Sequence, residues 1–294
     1  MPLSKILAPN FDLAMTLDSG QVFHWERTGN GFVGAIGNNA VYVEQRANSL
    51  ATSGRQQEVR HYFALDHPLA EICASFPNDP VMNAAREFCR GLRIIRQPKW
   101  ECLATFICSS MKQVAHIRQI SKKLRERFGE ARRFENQVVY SFPNPDRIGA
   151  SSEKELRKCA LGYRAKNLLA TARHIASGEV DLEKLAQLPD VDLRARLCEL
   201  PGVGAKVANC VMLFAYERLR AFPIDVWIER VLREKYFPRA RKLNGARLTA
   251  FTGEYFGDHG GYAQQYLFHH ARKSRAKISR KSNRAGFVTV SGVR

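Results

Sequence analysis

An α+β chain is predicted: an N-terminal antiparallel β-sheet domain with helices over residues 1–97, a mainly helical core over 98–271, and a basic tail over 272–294. Three observations carry the prediction. Short β-rich runs separated by Gly/Asn turns end before residue 97, a helical apolar period takes over from Trp100, and residues 272–294 hold eight Lys/Arg and no acid.

In the first part, the runs 21–25, 32–36 and 41–44 are rich in Val, Ile, Phe, Tyr and Trp. Thr28-Gly29-Asn30-Gly31 and Gly37-Asn38-Asn39 between them supply turn chemistry, so the runs read as an antiparallel meander. Residues 68–93, punctuated by Pro77 and Pro80, read as a helical return across that sheet. Leu103, Ile107, Met111, Val114, Ile117, Leu124 and Phe128 then recur at helical spacing, which predicts one buried helix stopped by Gly129. Helices also fit 153–160, 164–177, 191–199, 205–217, 226–235 and 245–256, and nearly everything from Trp100 to Ala271 carries helical period. The tail reads as a flexible, solvated extension whose cations attract phosphate without reading sequence.

Composition narrows the function. The chain has 294 residues, 45% apolar and 25% charged, which excludes a disordered class. With 46 Lys/Arg against 28 Asp/Glu the formal charge is +18, and a polyanionic partner is implied, nucleic acid or an anionic membrane surface. The apolar run 207–215 is too short to span a bilayer, and the N-terminus carries no apolar signal core. The expected home is a reducing compartment: the cytosol and nucleoid of a prokaryote, or a eukaryotic nucleus. Seven scattered cysteines without a C-x-x-C pair fit neither a disulfide framework nor a zinc site, and the eight histidines lack metal-ligand spacing.

The most informative stretch is Cys198-Glu199-Leu200-Pro201-Gly202-Val203-Gly204-Ala205-Lys206-Val207-Ala208. One helix ends at Leu200, and a turn with Gly at alternate positions enters the next. The free N–H groups of Gly202, Val203 and Gly204 can form an anion site for one DNA phosphate. A tight αα-hairpin with no ligand is an equally good reading of the turn alone; the net charge favours phosphate. Lys206 falls in the first turn of the second helix, where the dipole opposes a cation by about 0.3–1 kcal/mol. That suits a nucleophilic amine, and one more phosphate contact is the alternative. Further on, Pro223 forces an extended approach and Asp225 can cap the helix that follows. The same carboxylate, beside an amine, could stabilise a developing positive charge or shuttle its proton.

Leu-Pro-Gly-Val-Gly-x-Lys followed by Pro-x-Asp-Val resembles the catalytic core of the helix–hairpin–helix DNA glycosylases. More specifically, the chain resembles their 8-oxoguanine branch over most of residues 8–271. The likeness runs through Ser19-Gly20-Gln21-x-Phe23-x-Trp25, Arg93-Ile94-Ile95-Arg96-Gln97 and Glu101-Cys102-Leu103-x-x-Phe106-Ile107-Cys108-Ser109-Ser110. It continues through Leu161-Gly162-Tyr163-Arg164-Ala165 and Gly261-Tyr262-Ala263-Gln264-x-x-Leu267-Phe268. The expected fold is then an N-terminal sheet domain followed by a helix–hairpin–helix glycosylase core.

The resemblance implies a bifunctional enzyme that flips an oxidised guanine out of duplex DNA, excises it and nicks the strand. Lys206 falls on the family's nucleophile and Asp225 on its essential aspartate. Gly20 matches the glycine whose carbonyl accepts the N7 hydrogen of 8-oxoguanine, Phe268 the stacking aromatic, and Gln264 the reader of the Watson–Crick edge. Cys210 pairs with Lys206 on one helix face, a pair read in the family as a charge dipole complementary to the lesion. The carbonyls of Cys198, Leu200 and Val203 match positions that hold a structural monovalent or calcium ion. Tyr163 and Arg164 match a wedge-and-support pair around the estranged base. Met111 replaces an Asn-rich run, His116 an opposite-base Arg, and Trp227 a His that often contacts phosphate. These departures bear on the opposite-base preference, not on the chemistry.

No cysteine follows Cys210, so the iron–sulfur cluster of the endonuclease III and adenine-glycosylase branches is not expected, and no cofactor is required. Double-stranded DNA is the expected partner, with no membrane and a monomeric chain. Two alternatives stand: a non-catalytic helix–hairpin–helix DNA-binding protein, and a glycosylase of this fold acting on another damaged base. Base release from a lesion duplex discriminates them.

Overall fold

The computed structural model describes residues 3–109, 113–240 and 242–285, and has the α+β organisation expected. Five strands, β1 (Ser4–Leu7), β2 (Glu26–Thr28), β3 (Gly31–Ile36), β4 (Asn39–Arg46) and β5 (Ser49–Thr52), form an antiparallel sheet in the order β1-β5-β4-β3-β2. Thr28 pairs with Gly31 and Ile36 with Asn39, so the Gly29-Asn30 and Gly37-Asn38 turns are two-residue hairpin loops at the positions their chemistry indicated. Helices α1 (Leu13–Asp18) and α2 (Gln56–Tyr62) cover the sheet, burying Leu13, Leu17 and Val59 against Val41, Val43 and Leu50. Helices α3 (Leu69–Ala74) and α4 (Pro80–Phe88) form the helical return.

Residues 21–25 join no ladder, and the strand starts only at Glu26. The reason is Gln21. Its buried amide donates to the Arg93 carbonyl (2.8 Å) and accepts from the Ile95 N–H (2.7 Å), while Gln97 donates to the Gln21 carbonyl (2.7 Å). A side chain, not a ladder, ties the segment to the entrance of the core.

The core is built around α5 (Lys99–Ser109), every residue of which from Glu101 onward is buried. The single helix expected over 103–128 is two, α5 and α6 (Val114–Phe128); both keep helical period, so the apolar stripe carries no mark of the break. A second correction is a hairpin, β6 (Ala131–Phe134) and β7 (Gln137–Tyr140), inside the stretch read as helical. It docks on the sheet through Phe134 stacked on Tyr42 at 5.3 Å. The remaining helices are α7 (Pro145–Gly149), α8 (Glu153–Arg157), α9 (Arg164–Ala176), α10 (Leu182–Leu185), α11 (Asp190–Cys198), α12 (Ala205–Ala215), α13 (Val226–Val231), α14 (Gly245–Tyr255) and α15 (Gly260–Ala285).

Helix α15 carries a third correction. It passes the expected tail boundary at 272 and runs to Ala285, and Lys273 pairs with Asp18 at the end of α1. The helix packs on α4 and is stitched to the N-terminal part by Tyr266 Oη to the Leu92 carbonyl (3.0 Å) and Gln265 Nε2 to the Ser19 carbonyl (3.1 Å). All seven cysteines are free.

Candidate active site

A cavity of about 570 Å³ opens where α12, α15, the approach to α13 and the ends of α5 and α6 meet the turn at Gly20. Helix α11 leads into α12 through Leu200-Pro201-Gly202-Val203-Gly204. Gly202 has φ +82°, and a Cβ there would lie 2.8 Å from Asn167 Cβ, so both backbone and space demand glycine. Thr171 donates to the Pro201 carbonyl (3.0 Å) and pins the hairpin to α9. Gly204 is the N-cap of α12 and faces open space, which leaves the first amides of that helix approachable.

Lys206, half-buried in the first turn of α12, donates from Nζ to Ser109 Oγ (3.2 Å) and lies 5.3 Å from the centroid of the Phe106 ring. Asp225 caps α13: Oδ1 accepts the N–H groups of Trp227 (3.0 Å) and Ile228 (2.9 Å). Burial raises its carboxyl from the ordinary value, against the pull of the Ile228 amide and Lys206. Asp225 thus caps α13 and also lines the cavity that holds Lys206.

Cys210 lies four residues from Lys206 in the same wall. Burial pushes its thiol up to about 11, and Asp225 adds to burial while Lys206 opposes it. Burial thus disfavours the thiolate of Cys210, while Lys206 favours it. Gly20, at φ +90°, would be strained by any side chain, and a Cβ would crowd Phe268 Cε1 at 3.0 Å and Arg272 Nη1 at 3.3 Å. Gln264 reaches the cavity with Oε1 buried and without a hydrogen-bond partner, an acceptor awaiting a donor.

Family models match both parts of this chain. "8-oxoguanine DNA glycosylase, N-terminal domain" covers residues 5–103, and "HhH-GPD superfamily base excision DNA repair protein" covers 104–251. This chain belongs to the 8-oxoguanine glycosylases of the HhH-GPD superfamily. It is 32% identical to N-glycosylase/DNA lyase OGG1 of Arabidopsis thaliana over 289 residues, covering 90% of this chain and 78% of the relative. The solved structure of Clostridium acetobutylicum 8-oxoguanine glycosylase/lyase with duplex DNA containing cytosine opposite 8-oxoguanine is 30% identical. It superposes with a TM-score of 0.87, over 93% of this chain and 98% of that one. A structure of MBOgg1 in complex with a low-affinity DNA ligand gives 0.89 at 30% identity, over 94% of this chain and 97% of that one.

In this glycosylase Lys206, Asp225, Cys210, Gly20, Gln264, Phe268 and Trp227 share the cavity wall. Tyr163 and Arg164 do not line it; Tyr163 is 58% exposed at the start of α9, and the buried Arg164 guanidinium lies 4.3 Å from its ring centroid. His116 is exposed on the first turn of α6, whose Val114, Ala115 and Ile117 do line the cavity. Met111 lies outside the described residues. Two further wall residues have no role in the sequence reading. Ser109 stands in a family motif without one, and Arg272 falls in the expected tail although its spacing from Gln264 and Phe268 continues one helical stripe. Among the described residues no group of His, Cys, Asp and Glu could hold a metal ion, and no helix is long and apolar enough to cross a membrane.

Proposed function

We propose that this glycosylase removes 8-oxoguanine from duplex DNA and then cuts the strand at the resulting abasic site, in base-excision repair. The observation that carries the reading is the meeting of Lys206 Nζ and the raised Asp225 carboxyl in one cavity of about 570 Å³, roomy enough for an extruded nucleotide. The sugar C1′ is shielded in the duplex, so the nucleotide must first be extruded, at a cost of a few kcal/mol. Lys206 Nζ then attacks C1′. The C1′–N9 bond breaks, its electron pair leaves with the base, and Nζ gives up a proton. Opening of the C1′–O4′ bond yields a Schiff base, which acidifies the C2′ hydrogen; its loss expels the 3′ phosphate. Asp225 stabilises the cationic sugar and carries protons between these steps.

Specificity follows from the wall. The Gly20 carbonyl accepts the N7–H that only the oxidised base has, Phe268 stacks on the ring, and the orphaned Gln264 Oε1 takes donors of the Watson–Crick edge. Outside the cavity, the amides of Gly202 and Gly204 hold one phosphate while the Val203 N–H is taken by the Leu200 carbonyl (3.0 Å); Trp227 flanks that phosphate from the cavity wall, and Tyr163, braced by the buried Arg164, and His116 face the opposite strand. The carbonyls of Cys198 and Leu200 close α11, where the dipole is negative, and with Val203 they suit a hard cation in oxygen-donor chemistry. That ion is structural. The reaction needs neither cofactor nor iron–sulfur cluster, and the enzyme acts as a monomer in the compartment that holds the DNA.

Incubation with duplexes containing 8-oxoguanine or guanine tests this directly. Base release and a nick from the lesion duplex, with a borohydride-trapped adduct, are expected; binding without either would favour a non-catalytic DNA-binding role. Release of a different damaged base with none of 8-oxoguanine would move the enzyme to another branch.

A further inference from the structure

Gln264, Phe268 and Arg272 stand at i, i+4 and i+8 on α15, and all three line the cavity. A helix rises about 12 Å over eight residues, so Gln264 and Arg272 approach Phe268 from opposite ends. Arg272 is held in place. Its Nη2 donates to the Asp18 carbonyl and lies 3.4 Å from His269 Nδ1, and its guanidinium is 5.6 Å from the Phe268 ring centroid. Asp18 also pairs with Lys273 and, at 3.0 Å, with Arg118 of α6, which locks α1, α6 and α15 at one corner. Nη1 faces Gly20, 3.3 Å from where a Cβ would stand, and Nε is buried without an acceptor. The wall therefore holds a fixed cation whose Nη1 faces the Gly20 turn.

We propose that Arg272 is a specificity-determining residue that donates to the C8 oxygen of 8-oxoguanine. The proposal rests on the reading of the cavity as the lesion pocket. A base stacked on Phe268 with its Watson–Crick edge at Gln264 turns its imidazole end along α15 toward Arg272. Gly20, the acceptor for N7–H, adjoins the guanidinium, and the atom beside N7–H in the oxidised base is the C8 oxygen. Gly20 thus reads the added proton and Arg272 the added oxygen. Guanine offers neither: its C8–H leaves the buried donor unpaired, a penalty that adds to the unmet Gly20 carbonyl.

The test is a substrate–enzyme double cycle using 8-oxoguanine and 8-thioguanine in the same duplex. The thio base keeps N7–H but presents sulfur, a weaker acceptor, at C8. In single-turnover excision, Arg272→Met should slow 8-oxoguanine release about tenfold and change 8-thioguanine release by less than about threefold. Arg272→Lys, which keeps a charged donor, should fall between. Equal losses on both bases would overturn the proposal and leave Arg272 a prop for the pocket; an unchanged 8-oxoguanine rate would overturn it too. Where Arg272→Met does not fold, the Lys variant decides, since the proposal requires its oxygen-over-sulfur rate ratio to drop below that of wild type. Release of neither base by wild type would instead sink the lesion-pocket reading itself.

Discussion

Lys206 Nζ donates to Ser109 Oγ across 3.2 Å, joining the first turn of α12 to the last turn of α5. The hydroxyl gives its own proton to the Phe106 carbonyl (2.7 Å), so its lone pairs face the amine. One turn of α5 therefore holds the nucleophile from two sides, by a hydroxyl and by the Phe106 ring. Ser109→Ala should slow borohydride trapping about tenfold, the order expected for one positioning hydrogen bond, with DNA affinity unchanged. Lys206→Gln should trap nothing. Undiminished trapping by the alanine variant would mean that the Phe106 ring alone places the amine.

Asp225→Asn should separate stability from activity. The folded carboxyl is raised, mainly by burial, so the folded chain holds this proton more tightly than the unfolded one. Its contribution to stability is then fullest at low pH and declines as pH rises through the ordinary carboxylate range toward the raised folded value. Asparagine keeps an Oδ1 for the two capping N–H groups and removes the buried charge. The variant should melt higher than wild type at about pH 7.5, with the gain fading toward about pH 3, while base release falls by about a hundredfold or more. Thermal melts across pH, paired with single-turnover assays, check both halves.

Two truncations should behave differently. A chain ending at Lys273 loses Arg275, Lys277, Arg280, Lys281, Arg284 and Arg294 but keeps the ties to Asp18. It should bind all DNA more weakly, with the salt slope reduced by about 0.9 for each phosphate it no longer neutralises, and keep its lesion preference. A chain ending at Ala271 loses the Asp18 ties as well and should lose lesion preference. Identical behaviour of the two would make every cation of this segment a simple phosphate attractor.

Opposite-base selectivity should be relaxed. His116 is exposed beside the cavity-lining Val114 and Ala115, and a single imidazole cannot make the forked contact of an arginine. A bidentate pair is worth about 1–3 kcal/mol of discrimination, so without one the rates opposite C, T, G and A should agree within about tenfold. His116→Arg should sharpen the preference for C. Single-turnover rates on the four duplexes decide it, and a steep preference for C in wild type would show that the discrimination comes from other residues.

The hairpin around Gly202 and the cap at Asp225 were legible because each demands a residue type locally: a positive φ in one, a short acceptor before a helix in the other. The meander turns were legible for the same reason. What stayed hidden depends on partners far along the chain. The unpaired run 21–25 is set by Gln21 reaching Arg93 and Ile95, and β6–β7 is held by Phe134 on Tyr42. Arg272 reads as one more tail cation because only the fold brings Asp18 and Gly20 beside it. The upward push on the Cys210 thiol is likewise a product of burial, which no spacing reports.

The cavity is assembled from distant parts of the chain: Gly20 from early in it, Lys206 and Asp225 from farther on, and Gln264, Phe268 and Arg272 from α15. The Gln265–Ser19 bond and the Arg272–Asp18 contact close loops of about 250 residues, the kind of long-range pairing that forms late in folding. A nascent chain that has not yet delivered α15 from the ribosome already owns its reactive lysine but has no wall against which a base can be held. Such a chain can touch DNA without excising anything from it. With Gln264, Phe268 and Arg272 made after Lys206, base release is expected only once α15 is in place.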